Sequence, residues 1–356
     1  MTLKRLTLAT ALAPLLALTA PMTASADDFN VTIVAGHPPV FRWVRMMPEA
    51  FIPTVTAELT KLGHTVTFSE QYGGALAKVG DELEAVEAGL AEIGACSSLF
   101  DPAKLAVQNV TYYTPFVSSD VRLVGNVVND LHANLPAMTE AYAENGVVYI
   151  GAPITIDDYL VMSNFPINSL ADLQGRKIAA PGAAINWLSG TGAVGVAGNL
   201  TTYYNEIKTG VYNGVIVFAS AALPGKLYEV APHITRFGLG AQYSGSLCAN
   251  KDWWDGLPAE VRTAFLAGSA AAQDWYTTDL ENAVTGALAK MAEAGATVTE
   301  APDDMRQAWA DGMDNAAKKW ATELDAQGKP ASEILKTYMD AMRAAGAKPL
   351  RNWDQE

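Results

Sequence analysis

Apolar and polar residues follow two different periods along this chain, and their alternation predicts strands separated by helices. Residues 30–35 form a short apolar run and residues 64–70 alternate as a strand does, whereas residues 41–62 have the spacing of a helix. A helix over residues 78–89 and a further strand, AEIGACSS, follow. Strands joined through helices usually pair in parallel, so the pattern predicts an α/β fold whose mostly parallel sheet carries helices on its faces.

The same alternation continues beyond residue 145. Predicted strands lie near residues 147–152, 159–163, 177–180 and 214–219, with predicted helices near residues 123–145, 184–189, 202–209, 302–324 and 331–345. Between Pro258 and Gly295 the chain has almost no helix breakers. Proline suits a first helical turn and glycine suits a helix end, so residues 258–295 are predicted to form one helix about 55 Å long. A helix of that length is expected to brace two domains.

The N-terminal segment has the pattern of a secretory signal peptide. Lys4 and Arg5 precede an apolar run too short to span a bilayer, and Ala24-Ser25-Ala26 follows. Cleavage is predicted before Asp27, which removes residues 1–26 and changes the formal net charge from −14 to about −16. The remaining chain is expected to be exported and long enough for two domains. Its acidity argues against nucleic acid or anionic lipid as partners.

The two cysteines, Cys96 and Cys248, allow two interpretations. In an oxidising compartment they could form a disulfide. Each lies in an apolar, strand-like run, AEIGACSS and YSGSLCAN, where a buried free thiol is the ordinary state. The sequence therefore favours free thiols and leaves the disulfide as the alternative.

Catalytic and cofactor motifs give little support for an enzyme. The stretch Gly190 to Gly195 matches GxGxxG, but no strand precedes it and no acid follows at the required distance, so a glycine-rich loop is expected. The sequence contains no GxSxG elbow, no HExxH, no cysteine cluster and no phosphate loop, and its four histidines are scattered. No metal, no cofactor and no catalytic residue are predicted, and the secreted α/β hydrolase is the disfavoured alternative.

Six stretches, taken in chain order, resemble one family: the DctP-type periplasmic substrate-binding proteins of tripartite ATP-independent periplasmic (TRAP) transporters. They are GHPP after the first strand, YGGALAKVGDELEAVEAGLAEIG, TPFV, FPINSLADLQGRKIAAPG, YYNEIKTGVYNGVIV and NKDWWDGLPAEVRTAF. The resemblance spans residues 31–350. It implies a periplasmic, non-enzymatic and monomeric protein that captures a small organic acid and delivers it to TRAP membrane subunits.

The resemblance also implies two α/β lobes joined by a hinge. Lobe I is predicted to comprise residues 27–153 and about 243–282, and lobe II residues 154–242 and about 283–356, with the long helix crossing both. The ligand is expected in the cleft between the lobes, at the carboxyl ends of the strands. Closure about the hinge would then present a changed surface to the membrane subunits. No ATP site is expected, because an ion gradient drives this class of transporter.

One segment departs from the family's pattern. The family reads G-x-K-[IL]-R-x-P, and its arginine clamps the ligand carboxylate, whereas GRKIAAP has Ala179 at that position. A second cationic position falls on Asp158, and the usual polar run D-G-Q-E-N reads NGVIV, followed by Phe218. Because a desolvated charge pair that loses a partner costs on the order of 2–5 kcal/mol, the usual dicarboxylate ligand does not carry over.

An aromatic contact could compensate for the missing arginine. A ring buries roughly 150 Å², which is worth on the order of 4 kcal/mol. Trp187 is favoured for this contact because INWL follows the turn after the site-forming strand, while Arg42 is the candidate partner of the ligand carboxylate and Ser97 a candidate hydroxyl donor. The candidate ligand contacts are His37, Phe41, Arg42, Trp43, Ser97, Asp158, Ala179, Trp187, Val217 and Phe218.

Three ligand classes follow from these residues. The leading hypothesis is an aromatic or largely apolar monocarboxylate of the benzoate type, with Asp158 accepting a hydrogen bond from a ring hydroxyl or a pocket donor. In the second, Asp158 pairs with a cationic amine that also contacts the aromatic rings. A C4-dicarboxylate-like acid is the remaining alternative. Arg176 and Lys177 are predicted to be surface charges beside an edge strand.

Overall fold

The computed structural model describes residues 27–356, so the predicted signal peptide lies outside the described residues. The strands are β1 Asp28–Ala35, β2 Thr65–Tyr72, β3 Ile93–Cys96, β4 Val147–Ile156, β5 Tyr159–Ser163, β6 Lys177–Ala180, β7 Val194–Ala197, β8 Gly214–Phe218, β9 His233–Arg236, β10 Gln242–Asn250 and β11 Thr297–Glu300. The helices are α1 Arg42–Met46, α2 Ile52–Lys61, α3 Glu82–Glu87, α4 Val121–Asn134, α5 Pro136–Ala143, α6 Tyr203–Lys208, α7 Ala219–Ala222, α8 Lys251–Gly256, α9 Ala259–Glu293, α10 Asp303–Gly312, α11 Ala316–Asp325 and α12 Ala331–Ala344.

The strands form two sheets, which confirms the predicted two-lobed α/β fold. The first has the order β2-β1-β3-β10-β4 and the second the order β11-β9-β5-β8-β6-β7. Among the described strands, five of the nine strand pairings are parallel, a narrower majority than predicted, because β10 runs antiparallel to β3 and β4, and β5 runs antiparallel to β8 and β9. Both exceptions have one cause. The chain crosses between the sheets just before β5 and just before β10, so these strands start at the cleft where their neighbours end.

The long helix α9 crosses both sheets. Its 35 residues extend about 52 Å, close to the predicted 258–295 helix. Along its length α9 packs against α2 and β4 beside the first sheet and against α7 and β11 beside the second. The helix therefore connects the two lobes with a rigid element, whereas the two chain crossings that flank the cleft are short.

Helix breakers shorten several predicted helices. The predicted helix over residues 123–145 divides into α4 and α5 at Pro136, where the proline ring cannot continue the helix but suits the first turn of the next. A π turn at Met47–Phe51 interrupts the helix over residues 41–62. The predicted 184–189 helix is a 3-10 helix, Gly182–Leu188. The GTGAVG stretch is a loop that enters β7, a strand that the sequence did not predict.

Two tryptophans of the C-terminal segment form hydrogen bonds with the rest of the chain. The Trp309 indole N–H, on α10, donates to the Trp187 carbonyl at 2.7 Å, and the Trp353 indole N–H donates to the Pro115 carbonyl at 2.8 Å. The helix α12 also packs against α4, next to the first sheet. Residues 283–356, which are predicted to belong to lobe II, therefore contact elements of both lobes. The lobe boundaries remain a prediction.

Cys96 and Cys248 form a disulfide, so the free-thiol interpretation is wrong. The two residues lie on the neighbouring strands β3 and β10, with their Cα atoms 5.9 Å apart. Local apolar sequence could not reveal this, because the pairing depends on the late crossing that returns β10 to the first sheet. None of the helices described for residues 27–356 combines the length and the apolar composition of a membrane span.

Candidate ligand-binding site

A cavity lies between the two sheets, with residues of both sheets in its lining. The carboxyl ends of β1, β3 and β4 border it on one side, and those of β6 and β8 border it on the other. Five predicted contacts line it: His37, Trp43, Ser97, Val217 and Phe218. Five others lie outside its lining: Phe41, Arg42, Asp158, Ala179 and Trp187.

Three aromatic rings form one wall of the cavity, which we call the aromatic wall: Trp43, Tyr159 and Phe218. Phe218 ends β8, with its ring 5.9 Å from that of Trp43 and 5.1 Å from that of Tyr159, centroid to centroid. Phe41 stacks on the far face of Trp43 at 4.7 Å and supports it from outside the cavity. The aromatic wall therefore contains residues from both lobes.

Trp187 lies one layer behind this wall. Its ring packs edge-on against Tyr159 at 5.2 Å, and its indole N–H donates to the Tyr112 carbonyl at 2.7 Å. Only 1% of Trp187 is exposed. Tyr159 is further held by a 2.8 Å hydrogen bond between its hydroxyl and that of Tyr112. Trp187 thus positions a ligand-facing ring and does not itself face the cavity.

Ala179 lies in the sheet beneath a tyrosine that the sequence analysis missed. Ala179 is fully buried and belongs to the same apolar cluster as Tyr203, which lines the cavity. A Cβ atom at Gly198 would lie 2.8 Å from Tyr203 Cε1 and 3.5 Å from Ala179 Cβ. Small residues at both positions therefore leave room for the tyrosine ring. YYNEIKTG predicted a helix correctly, but its spacing could not show that the first turn of α6 borders the cavity.

His37 lines the cavity and carries an unpaired polar atom. Its Nε2 is buried and has no hydrogen-bond partner, and its ring lies edge-on to Phe41 at 5.5 Å and to Trp43 at 5.4 Å. Burial lowers the pKa of His37 to about 4, so the imidazole is neutral at neutral pH. Ser97 also borders the cavity and donates its hydroxyl to the Ser244 carbonyl at 3.0 Å.

Glu82 places a carboxyl group in the cavity wall. The side chain is 2% exposed; one oxygen accepts the Gly36 N–H at 2.9 Å and the other accepts the Gly80 N–H at 2.7 Å. Burial raises the pKa of Glu82 to about 7, and the nearby Asp101 also raises it. The pattern of GDELEAVEAG predicts a helix and no ligand contact, although a carboxylate on the buried face of that helix is a visible signal.

The two charged candidates from the sequence point elsewhere. Arg42 Nε lies 2.7 Å from an Asp279 carboxylate oxygen on α9, and Arg45 contacts the same oxygen at 2.9 Å. Successive residues of a helix point about 100° apart, so Trp43 faces the cavity while Arg42 faces α9.

Asp158 accepts the Gly240 N–H at 2.9 Å, and burial raises its pKa. Among the described residues, no lysine or arginine lines the cavity.

The variant Glu82→Gln is expected to flatten the pH dependence of stability. The folded-state pKa of Glu82, about 7, lies above its ordinary value of 4.5, so the folded protein binds more protons than the unfolded chain between these values. The wild type should therefore lose stability as the pH rises from about 4.5 to about 7, by on the order of 3 kcal/mol from this group. Urea unfolding at pH 5, 6, 7 and 8 measures the effect.

Glu84→Gln is the matched control, because Glu84 lies on the same helix and is exposed. The difference in unfolding free energy between wild type and Glu82→Gln should grow with pH in favour of the variant. Curves that stay parallel from pH 5 to pH 8 would contradict the raised pKa. Asp157 also titrates in this range, but it remains in both proteins and cancels in the difference, whereas Asp101 interacts with Glu82 and adds to the difference in the same pH range.

Comparison with known proteins identifies the fold and the family. The family model described as bacterial extracellular solute-binding protein, family 7 (DctP), matches residues 59–323. The chain belongs to this family. It is thus a TRAP-type solute-binding protein, and the resemblance inferred from the six sequence stretches is confirmed. The family's members bind solutes for transport and are not enzymes.

Individual relatives support the same assignment. The chain is 27% identical over 255 residues to the C4-dicarboxylate-binding periplasmic protein DctP of Rhodobacter capsulatus, covering 69% of this chain and 74% of that protein. Its fold is similar to DctP7 of Bordetella pertussis, an extracytoplasmic solute receptor binding pyroglutamic acid (TM-score 0.72, 20% identity, 88% and 99% coverage). It is also similar to the periplasmic ectoine-binding protein of the TeaABC TRAP transporter from Halomonas elongata (TM-score 0.75, 20% identity, 88% and 99% coverage).

Proposed function

We propose that this protein captures a small, ring-bearing and largely apolar monocarboxylate, of the benzoate type, in the cavity between its lobes. It acts as a periplasmic monomer after removal of residues 1–26 and delivers the ligand to TRAP membrane subunits. The observation that carries the proposal is the aromatic wall of Trp43, Tyr159 and Phe218 in a cavity that no described lysine or arginine lines.

The wall favours a ring over a chain of polar groups. An aromatic ring that loses roughly 150 Å² of accessible surface gains on the order of 4 kcal/mol, and edge-on or offset contacts with other rings add to that gain. Val217 and Ile154 extend the apolar surface on the two sides of the cavity. The family's dicarboxylate clamp has no equivalent here, because Ala179 contributes no charge and Arg42 is paired with Asp279.

A neutral donor can hold the single carboxylate of such a ligand. In the tautomer with hydrogen on Nε2, His37 presents an unpaired N–H to the cavity. Ser97 borders the same side of the cavity, but its hydroxyl proton is already donated to the Ser244 carbonyl, so it offers the ligand no second donor. A dicarboxylate would bring a second anionic group into a cavity without a cation, and burying an unpaired charge is costly. One carboxylate on an apolar ring therefore suits the lining better than two carboxylates on a short chain.

The relatives do not identify the ligand of this protein, so we infer the ligand class from the residues that line the cavity. Their names refer to C4-dicarboxylates, pyroglutamic acid and ectoine. One frame therefore serves several kinds of ligand, and the side chains at the cleft must account for the differences. In this chain those side chains are mostly aromatic and aliphatic.

A thermal-shift screen tests the proposal. Benzoate and 4-methylbenzoate are expected to raise the melting temperature in a concentration-dependent way, because a ligand that binds only the folded state stabilises it. Succinate at the same concentration and ionic strength serves as the control for carboxylates without a ring and should leave the melting temperature unchanged. A shift with succinate and none with the ring acids would overturn the proposal.

A further inference from the structure

We propose that Glu82 is a specificity-determining residue that selects ligands with a protonated nitrogen, so that the solute is a zwitterionic ring acid. This inference rests on the proposed function, since it adds a cationic group to the ring monocarboxylate. The class of ligand is therefore a small ring that carries a carboxylate and, on the side that meets Glu82, an ammonium or similar cationic nitrogen.

The position of the Glu82 carboxyl group is fixed. Hydrogen bonds from Gly36 and Gly80, one to each oxygen, hold it at the start of α3, and the side chain is 2% exposed. Gly36 directly precedes His37, and both Glu82 and His37 line the cavity. Each carboxylate oxygen can accept a further hydrogen bond beyond the one it already has. A ligand donor can therefore bind Glu82 without displacing either backbone contact.

The surroundings of Glu82 offer no countercharge. No described lysine or arginine lines the cavity, and burial keeps His37 neutral, with a pKa of about 4. Asp101, the other titratable group that acts on Glu82, is acidic and raises its pKa further. Lys104, on the surface, is paired with Glu84 and Glu87. A buried carboxylate without a cation is unfavourable, and a cationic ligand group would supply the missing charge.

Charge balance also explains how the cavity could accept the ligand's own carboxylate. A plain monocarboxylate brings a second negative charge close to Glu82, and like charges in a buried site disfavour each other. A zwitterion carries its own cation and adds no net charge. Its ammonium group can face Glu82 while its carboxylate faces neutral donors such as His37. The same cavity should therefore bind a zwitterionic ring acid more tightly than an analogue in which a neutral group replaces the ammonium group.

Titration calorimetry with four matched compounds tests this inference. They are 4-methylbenzoate, 4-(hydroxymethyl)benzoate, 4-(aminomethyl)benzoate and 4-methylbenzylamine. The aminomethyl acid is expected to bind at least about tenfold more tightly than the methyl acid. Repeating the titrations at pH 7 in two buffers of different ionisation enthalpy counts the protons exchanged. Binding of the aminomethyl acid should release protons, because a cation beside Glu82 lowers its pKa from about 7.

The variants separate Glu82 from the rest of the cavity. In Glu82→Gln the aminomethyl acid should lose its advantage and its proton release, while 4-methylbenzoate should bind more tightly, because the negative charge near its carboxylate is removed. Glu84→Gln, exposed on the same helix, should behave like the wild type. If Glu82→Gln does not fold, the sign of the proton exchange in the wild type still decides, since uptake of protons with the aminomethyl acid contradicts pairing with Glu82.

The outcomes distinguish the two proposals. Equal affinity for the methyl and aminomethyl acids, without proton release, overturns the role of Glu82 and leaves the proposed function standing. A hydroxymethyl acid that binds as tightly as the aminomethyl acid also overturns it, because a neutral donor then suffices. If none of the three acids binds, the proposed function fails. Binding of 4-methylbenzylamine alone would support pairing with Glu82 and overturn the assignment of a ring acid.

Discussion

Replacing Ala179 with arginine is expected to destabilise the protein by more than about 3 kcal/mol and to give no affinity for dicarboxylates. Ala179 is fully buried in the sheet, in the cluster that contains Tyr203. A guanidinium there would displace the tyrosine ring and bury a charge without a partner, and an uncompensated buried charge costs about 3–5 kcal/mol. Overpacking adds to that cost. The packing around Ala179 is thus expected to be incompatible with an arginine at this position.

Urea unfolding and succinate titration of the Ala179→Arg variant measure both parts of this expectation. Lys177→Arg is the matched control, because it adds a guanidinium to the same strand at an exposed position. The control should retain the wild-type unfolding free energy to within about 0.5 kcal/mol. An Ala179→Arg protein that is as stable as the wild type and binds succinate would contradict this expectation, because the single substitution would then restore the carboxylate clamp.

Replacing Phe218 with alanine is expected to weaken the binding of a ring acid by at least about tenfold. Phe218 touches both other rings of the aromatic wall, with centroid distances of 5.1 Å to Tyr159 and 5.9 Å to Trp43. Its removal takes away contact area with the ligand and loosens the two remaining rings. Tenfold corresponds to about 1.4 kcal/mol, a fraction of what a buried aromatic contact contributes. Calorimetry with the tightest ligand from the screen gives the change directly.

Trp187→Phe is the control for a general loss of stability. This change removes the indole N–H that bonds the Tyr112 carbonyl, which leaves a buried acceptor unpaired at a cost of about 1–3 kcal/mol. Because Trp187 lies behind Tyr159 and outside the cavity lining, ligand affinity should change by less than about threefold. A larger loss of affinity in Trp187→Phe than in Phe218→Ala would contradict the assignment of these two rings.

The sequence predicted those parts of the fold that depend on local pattern. The β5 and β6 strands have the predicted bounds, and the α9 helix differs from its prediction by one or two residues at each end. The family was also predicted correctly, because it rests on six stretches in order. By contrast, the antiparallel course of β10 and the Cys96 to Cys248 disulfide depend on which strands become neighbours after the chain crosses between lobes, and no local pattern records that.

The candidate site was predicted in outline and missed in its details. Trp43 and Phe218 line the cavity, whereas Arg42 and Trp187 are near it and point away. Side-chain direction explains these differences. On α1, for example, Arg42 faces α9 whereas the next residue, Trp43, faces the cavity. Glu82 was hidden for a related reason, since a glutamate on a short helix is ordinarily solvated and only the approach of the Gly36 loop buries it.

The solute is expected to bind against the aromatic wall between the lobes. The most direct test is a crystal structure of the protein purified with its natural ligand, with mass spectrometry of the small molecule released on denaturation. We expect density for a ring against Trp43, Tyr159 and Phe218, and a released mass that matches a small ring acid. A ligand bound outside this cavity, or a released C4-dicarboxylate, would contradict this expectation.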